Sequence, residues 1–196
     1  MVGFAGFGAA RAFGLGLFAA ALTACASVPA PVNYGGHRPH SAPQRQSWAR
    51  PPIDPSAPPQ VLSDQPPLQC VPFARQESHI DIYGDANTWW AQAAGKYPRS
   101  SIPAAGSVLV LRGYRDDSRG HVAVVTEVLS SRMIRVDHAN WLNHGEISIN
   151  VPVLDVSQDN DWSEVRVWNI PSGQWGVRVY LSQGFIHPFL LQAALN

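Results

Sequence analysis

Eleven of the seventeen prolines fall between Ala26 and Pro67, and this one bias decides where a folded body can begin. Proline fixes φ and removes a backbone donor, so a stretch this rich in it suits neither a helix interior nor a central strand. Such segments run extended and act as semi-rigid spacers. His37, His40 and Trp48 sit inside the spacer, where histidines are more often solvated than metal-bound, and they receive no role. The foldable sequence therefore begins at Leu68, with residues 26–67 as a linker.

Residues 1–25 form a different kind of segment. Arg11 is their one charge, and an apolar run follows from Ala12 to Leu22. That run falls short of the roughly 20 apolar residues a spanning helix needs, but it suits the apolar region of an export signal. It ends in Leu22-Thr23-Ala24-Cys25, which resembles the bacterial lipobox. By that resemblance Cys25 carries a lipid and becomes the mature N-terminus, tied to a membrane. Ala26 and Ser27 follow with no Asp, which by the same resemblance implies the periplasmic face of an outer membrane. The chain has two cysteines. If Cys25 is acylated, Cys70 is left as an unpaired thiol in an exported protein; the alternative is a Cys25–Cys70 disulfide.

A net charge of zero, with 14% charged residues, argues against a general nucleic-acid binder, which needs a basic surface. Hydrophobic residues at 45% suffice for a core. Within it, Cys70 to Gln76 reads as a helix start with Pro72 tolerated in the first turn. Asp85 to Ala94 reads as a second helix, capped by Asp85 and stopped by Gly95. Strands follow at Ser107–Leu111, His121–Val128, Met133–Ala139, Gly145–Val153, Glu164–Ile170 and Val177–Leu181. Helices first and then a run of strands predict an α+β domain, its N-terminal helices packed on an antiparallel sheet of about six strands.

Cys70 stands at the predicted helix N-terminus, where orphan amides and the helix dipole favour the thiolate that acts as nucleophile. Such a nucleophile needs a base, and Gly120-His121 at the head of an apolar strand offers one. A base in turn needs an orienting partner. The next strand ends Asp137-His138-Ala139-Asn140-Trp141. Alternation puts His138 and Asn140 on one face and Asp137 on the other. His121, His138 and His144 match no compact zinc motif, so neither a metal nor any other cofactor is expected.

Cys70-Val71-Pro72-Phe73-Ala74-Arg75, Gly120-His121-Val122-Ala123-Val124-Val125 and His138-Ala139-Asn140-Trp141 together resemble the CHAP domain, the cysteine, histidine-dependent amidohydrolases/peptidases. These belong to the papain-like group that includes the NlpC/P60 peptidases. The resemblance implies a papain-like fold over a core from about Leu68 to Pro188, with 189–196 as a tail, Cys70 as nucleophile, His121 as base, and peptidoglycan amide bonds as substrate. Many members place Glu-x-Asn at the third motif; here His138 occupies the acidic position and Asn140 is retained. Asn140 is the favoured orienter of His121, with His138 as alternative orienter or substrate contact. Arg75 matches a position that helps order the site, and Trp141 is expected, like it, to contact substrate or order the site. The rival from another class is a CHAP-fold lipoprotein that binds or scaffolds the cell wall without catalysis; another keeps the chemistry on a small amide or a protein target.

Overall fold

The computed structural model describes residues 56–62, 64–113 and 119–189. Cys25, the apolar leader and most of the proline-rich stretch lie outside them. The chain order is β1 (Gln60–Leu62), α1 (Cys70–Ser78), a 3-10 turn (Ala86–Thr88), α2 (Trp89–Gln92), β2 (Arg99–Ser100), β3 (Val108–Leu111), β4 (His121–Ser130), β5 (Met133–Ala139), β6 (Ile147–Asp155), β7 (Glu164–Asn169), β8 (Gln174–Trp175) and β9 (Tyr180–Ile186).

Six of the strands close into an antiparallel barrel. The order β6-β5-β4-β3-β9-β7 returns to its start because Val153 of β6 pairs with Val167 of β7. β1, which falls within the stretch read as linker, adds to the outer side of β6, with Gln60 opposite Ile149. Period-two alternation divides most of the barrel strands between two cores. Leu109, Ala123, Val125, Val136, Val151 and Val167 fill one, inside the ring. Val108, Val110, Val122, Val124 and Ile147 face outward, where Phe73 and Ala74 of α1 and Trp89 of α2 cover them. Fully burying each such Val or Leu stabilises the fold by about 1.5–3 kcal/mol, so the helix that begins at Cys70 is held mainly by its apolar face.

Three expectations are corrected. The sheet is a closed barrel rather than a surface with helices laid on it. The helical part is small: nine residues in α1 and four in α2. The predicted helix over Asp85–Ala94 breaks into a 3-10 turn and α2, because Asn87 N–H donates out of the segment to Arg119 O (2.9 Å) and Thr88 Oγ1 turns back on Asp85 O (2.7 Å). The last strand lies at Tyr180–Ile186 rather than Val177–Leu181. Val177 is 92% exposed, and the apolar alternation over Val177, Val179 and Leu181 belongs to a solvent-facing side.

Candidate active site

Cys70 is the first residue of α1, following Gln69, whose extended backbone (φ −87°, ψ 157°) marks the helix boundary. Two contacts fix that boundary from the loop joining β5 to β6. Leu68 N–H donates to Gly145 O (2.8 Å), and Asn140 Nδ2 donates to Gln69 Oε1 (2.6 Å). Gly145 is at φ +75°, and a Cβ there would lie 2.6 Å from Pro67 Cβ. Only glycine combines that backbone conformation with so close an approach.

His121 opens β4 and lines the same cleft as Cys70, along with Asn140, Trp141, Arg178 and Tyr180. The backbone amides of Val122, Val71 and Cys70 itself favour the thiolate of Cys70 and oppose the effect of its burial. Gly120 (φ +75°) lets the start of β4 pack closely on the end of β3 and on the 3-10 turn: a Cβ would meet Leu111 O at 2.7 Å and Asn87 N at 3.0 Å.

His121 Nε2 lies 3.1 Å from His138 Nδ1. The register explains the meeting. Val124 of β4 faces Asp137 of β5, so His138 falls opposite position 123 and reaches His121 diagonally on the same face, a distance long side chains span. Asn140 does not take this place. Regular strand ends at Ala139, and Asn140 turns to φ +60°, so strand alternation stops one residue before it. Its side chain instead accepts from Gly145 N–H (2.9 Å) and donates to Gln69. The partner of His121 is therefore His138, which corrects the preference for Asn140. Asp137 points to the opposite face, where its carboxylate accepts Asn150 N–H (2.9 Å).

Trp141 completes the wall. Its ring stacks on His138 (5.2 Å between centroids, 23° between planes), meets His121 edge-on at 4.9 Å, and touches Tyr180 at 5.0 Å. Arg75 lies outside the cleft lining. Its guanidinium pairs with Asp81 at 3.1 Å and lies 3.5 Å from the centre of the Tyr83 ring. It thus holds the segment that leads to the cleft residues Gly84 and Asp85. His144 is exposed on the β5–β6 loop. Among the described residues no group of three His, Cys, Asp or Glu side chains is placed to hold a metal ion. The residue sequence did not single out is Gln69, which follows no motif of its own; Asp85 was read only as a helix cap.

Burial sets the protonation of the site. It pushes the Cys70 thiol up from its ordinary value; the backbone hydrogen bonds oppose this, and the Asp85 charge adds to it. Burial pushes His121 down to about 3. His138 is held well below the ordinary histidine range, first by burial and then by its neighbour His121. The resting site therefore holds a neutral thiol and a neutral imidazole pair in one cleft. Between neutral rings one nitrogen donates and the other accepts. If His121 donates from Nε2, its Nδ1 lone pair is free to take a proton, and His138 carries its own hydrogen on Nε2. That Nε2 is buried without a partner. The arrangement can move a proton off Cys70 without any carboxylate.

Residues 62–140 match the family model of the CHAP domain. The matched segment runs from β1 to the turn after β5 and contains Cys70, His121, His138 and Asn140. No curated protein matches the chain. CHAP domains are in general amidohydrolase or peptidase domains, and the match points to a peptidoglycan-hydrolase-like function.

Proposed function

We propose that the chain is a cysteine amidohydrolase of the papain-like, NlpC/P60-related type that cuts amide bonds in peptidoglycan. The observation that carries this is that Cys70, at the start of α1, and His121, at the start of β4, line one cleft, while His121 is held from behind by His138. The match of residues 62–140 to the CHAP family model supports this substrate class.

His121 acts as general base through Nδ1, taking the Cys70 proton as the sulfur attacks the amide carbonyl. The neutral resting pair makes proton transfer part of the attack rather than an earlier event. The tetrahedral oxyanion forms at the N-terminus of α1, where backbone N–H groups, Cys70 among them, stabilise it. His121, now an imidazolium beside Trp141 and His138, returns the proton to the leaving amine. Water, activated by the same ring, then releases the acyl group from sulfur. His138 holds the base in its useful tautomer, and Asn140 acts through Gln69 by fixing the start of α1.

The site works from the envelope in this reading. Cys25 carries the lipid anchor at the periplasmic face of an outer membrane, and the proline-rich stretch separates anchor from enzyme. The scissile bond is either the sugar–peptide amide or a bond within the stem peptides and cross-bridges. Incubating purified peptidoglycan with the full chain and with Cys70→Ala, followed by mass spectrometry of the released fragments, tests the proposal. Wild-type-only release of intact stems identifies an amidase; wild-type-only cuts inside stems identify an endopeptidase.

A second reading is favoured by one observation. His138 supplies no negative charge where a carboxylate would strengthen the base, as expected of a wall-binding protein that has lost catalysis. Binding to the sacculus with no fragments released by either protein would establish it.

A further inference from the structure

We propose that the cleft selects a substrate segment bearing a carboxylate, and that Arg178 and Arg112 are the residues that read it. This rests on the hydrolase reading of the same cleft and deepens it by fixing the charge of what enters.

The whole chain is balanced, with 14 basic and 14 acidic residues, but the described lining of the cleft is not. Arg112, Arg119 and Arg178 line it, and among the described residues Asp85 is the one carboxylate that does. Two of the arginines come from neighbouring strands at one end of the barrel. Arg112 directly follows β3 and its N–H donates to Leu181 O of β9 (2.8 Å), while Arg178 lies just ahead of β9, two residues before Tyr180. The pair is therefore presented by one strand ladder, β3–β9, and not by two independent loops. Asp85 belongs to the helical side, where its charge acts on Cys70.

Arg178 is also connected to the reacting groups. Its guanidinium lies 5.7 Å from the Tyr180 ring centre, Tyr180 is 5.0 Å from Trp141, and Trp141 is 4.9 Å from His121. This aromatic row sets how far from the base the cation sits. A guanidinium offers a planar fork of donors that matches a carboxylate with two parallel hydrogen bonds, which an ammonium cannot do. Stem peptides of peptidoglycan carry such carboxylates along their length. The cleft thus holds chemistry for the bond, in Cys70 and His121, and chemistry for the segment beside it, in the arginines.

The test separates the two. The full chain carrying Cys70→Ala, in detergent at physiological salt, is titrated with a synthetic stem tetrapeptide whose carboxylates are free. An identical peptide with every carboxylate converted to a carboxamide serves as the comparison, and calorimetry reads the affinity. The free peptide binds about tenfold or more tightly, and adding R178Q or R112Q removes that difference with no change in melting temperature. Equal affinity for both peptides, no binding of either, or variants that weaken both peptides alike would overturn the inference. Wild-type cleavage of the two peptides is measured in parallel. Selective binding without cleavage keeps the inference and rejects the hydrolase reading; cleavage of both at one rate does the reverse.

Discussion

His121 and His138 meet nitrogen to nitrogen, Nε2 to Nδ1 at 3.1 Å, with their ring planes 84° apart. Two neutral rings share one proton between them, so the tautomer of either dictates that of the other. Replacing His138 with Ala leaves His121 free to turn and to take the wrong tautomer. We expect kcat to fall by about 100-fold, within the range general-base contributions span, while KM changes little. His138→Asn, whose Oδ1 accepts the same hydrogen bond, recovers part of the loss. Steady-state kinetics on a soluble stem-peptide substrate decides it; an Ala variant at wild-type kcat would remove His138 from the mechanism.

Thiol reactivity reports the same electrostatics independently of substrate. Burial holds the Cys70 thiol above its ordinary value and His121 at about 3. The thiolate is therefore scarce at neutral pH, and the rate of alkylation by neutral iodoacetamide climbs through pH 9 without levelling. A plateau below pH 7 would reveal a preformed thiolate–imidazolium pair and contradict the neutral resting state.

The same depressed histidines set the acid stability. Both have folded pKa values below the unfolded 6.5, so below pH 6.5 the unfolded chain binds more protons than the native one. Stability then falls as pH falls, from about 6.5 down toward 3. Thermal melts at pH 7 and pH 4.5 are expected to differ by roughly 5 °C or more. The difference shrinks in His121→Gln and His138→Gln, which have nothing to titrate; an unchanged difference in both variants assigns the acid sensitivity elsewhere.

Asn140 and Gln69 form a unit that reaches Cys70 only through the backbone. Asn140→Ala and Gln69→Ala are each expected to cost about 1 kcal/mol of stability and to lower kcat several-fold, by loosening the start of α1. Because both remove one shared contact, the double variant loses less than the two singles combined, with a coupling of about 0.5–1 kcal/mol. A double-mutant cycle by chemical denaturation measures it. Full additivity would show that the 2.6 Å contact contributes nothing.

Much of this was legible before any coordinates. The first residue of α1 is Cys70 as expected, and β5 spans Met133–Ala139 as the alternation of Ile134, Val136 and His138 indicated. Those signals are local, a breaker followed by a periodic run. The barrel was not legible, because closure depends on β6 meeting β7 and β9 meeting β3, pairings whose side chains look the same in an open sheet. The partner of His121 was misjudged for a smaller reason. Period-two reasoning assumes the strand continues, and it ends at Ala139, one residue short of Asn140. The arginines were invisible as a group since Arg112 and Arg178 are distant in sequence and share a wall only through the β3–β9 ladder.

The attachment of Pro67, Leu68 and Gln69 to the β5–β6 loop has a mechanical meaning. Tension applied to the chain upstream must first strip β1 from β6 and then break the Leu68–Gly145 and Asn140–Gln69 contacts. Only after that is any force delivered to Cys70. Cys70 is in this sense isolated from the chain before it, and a pull along the N-terminal segment is absorbed by the barrel wall first.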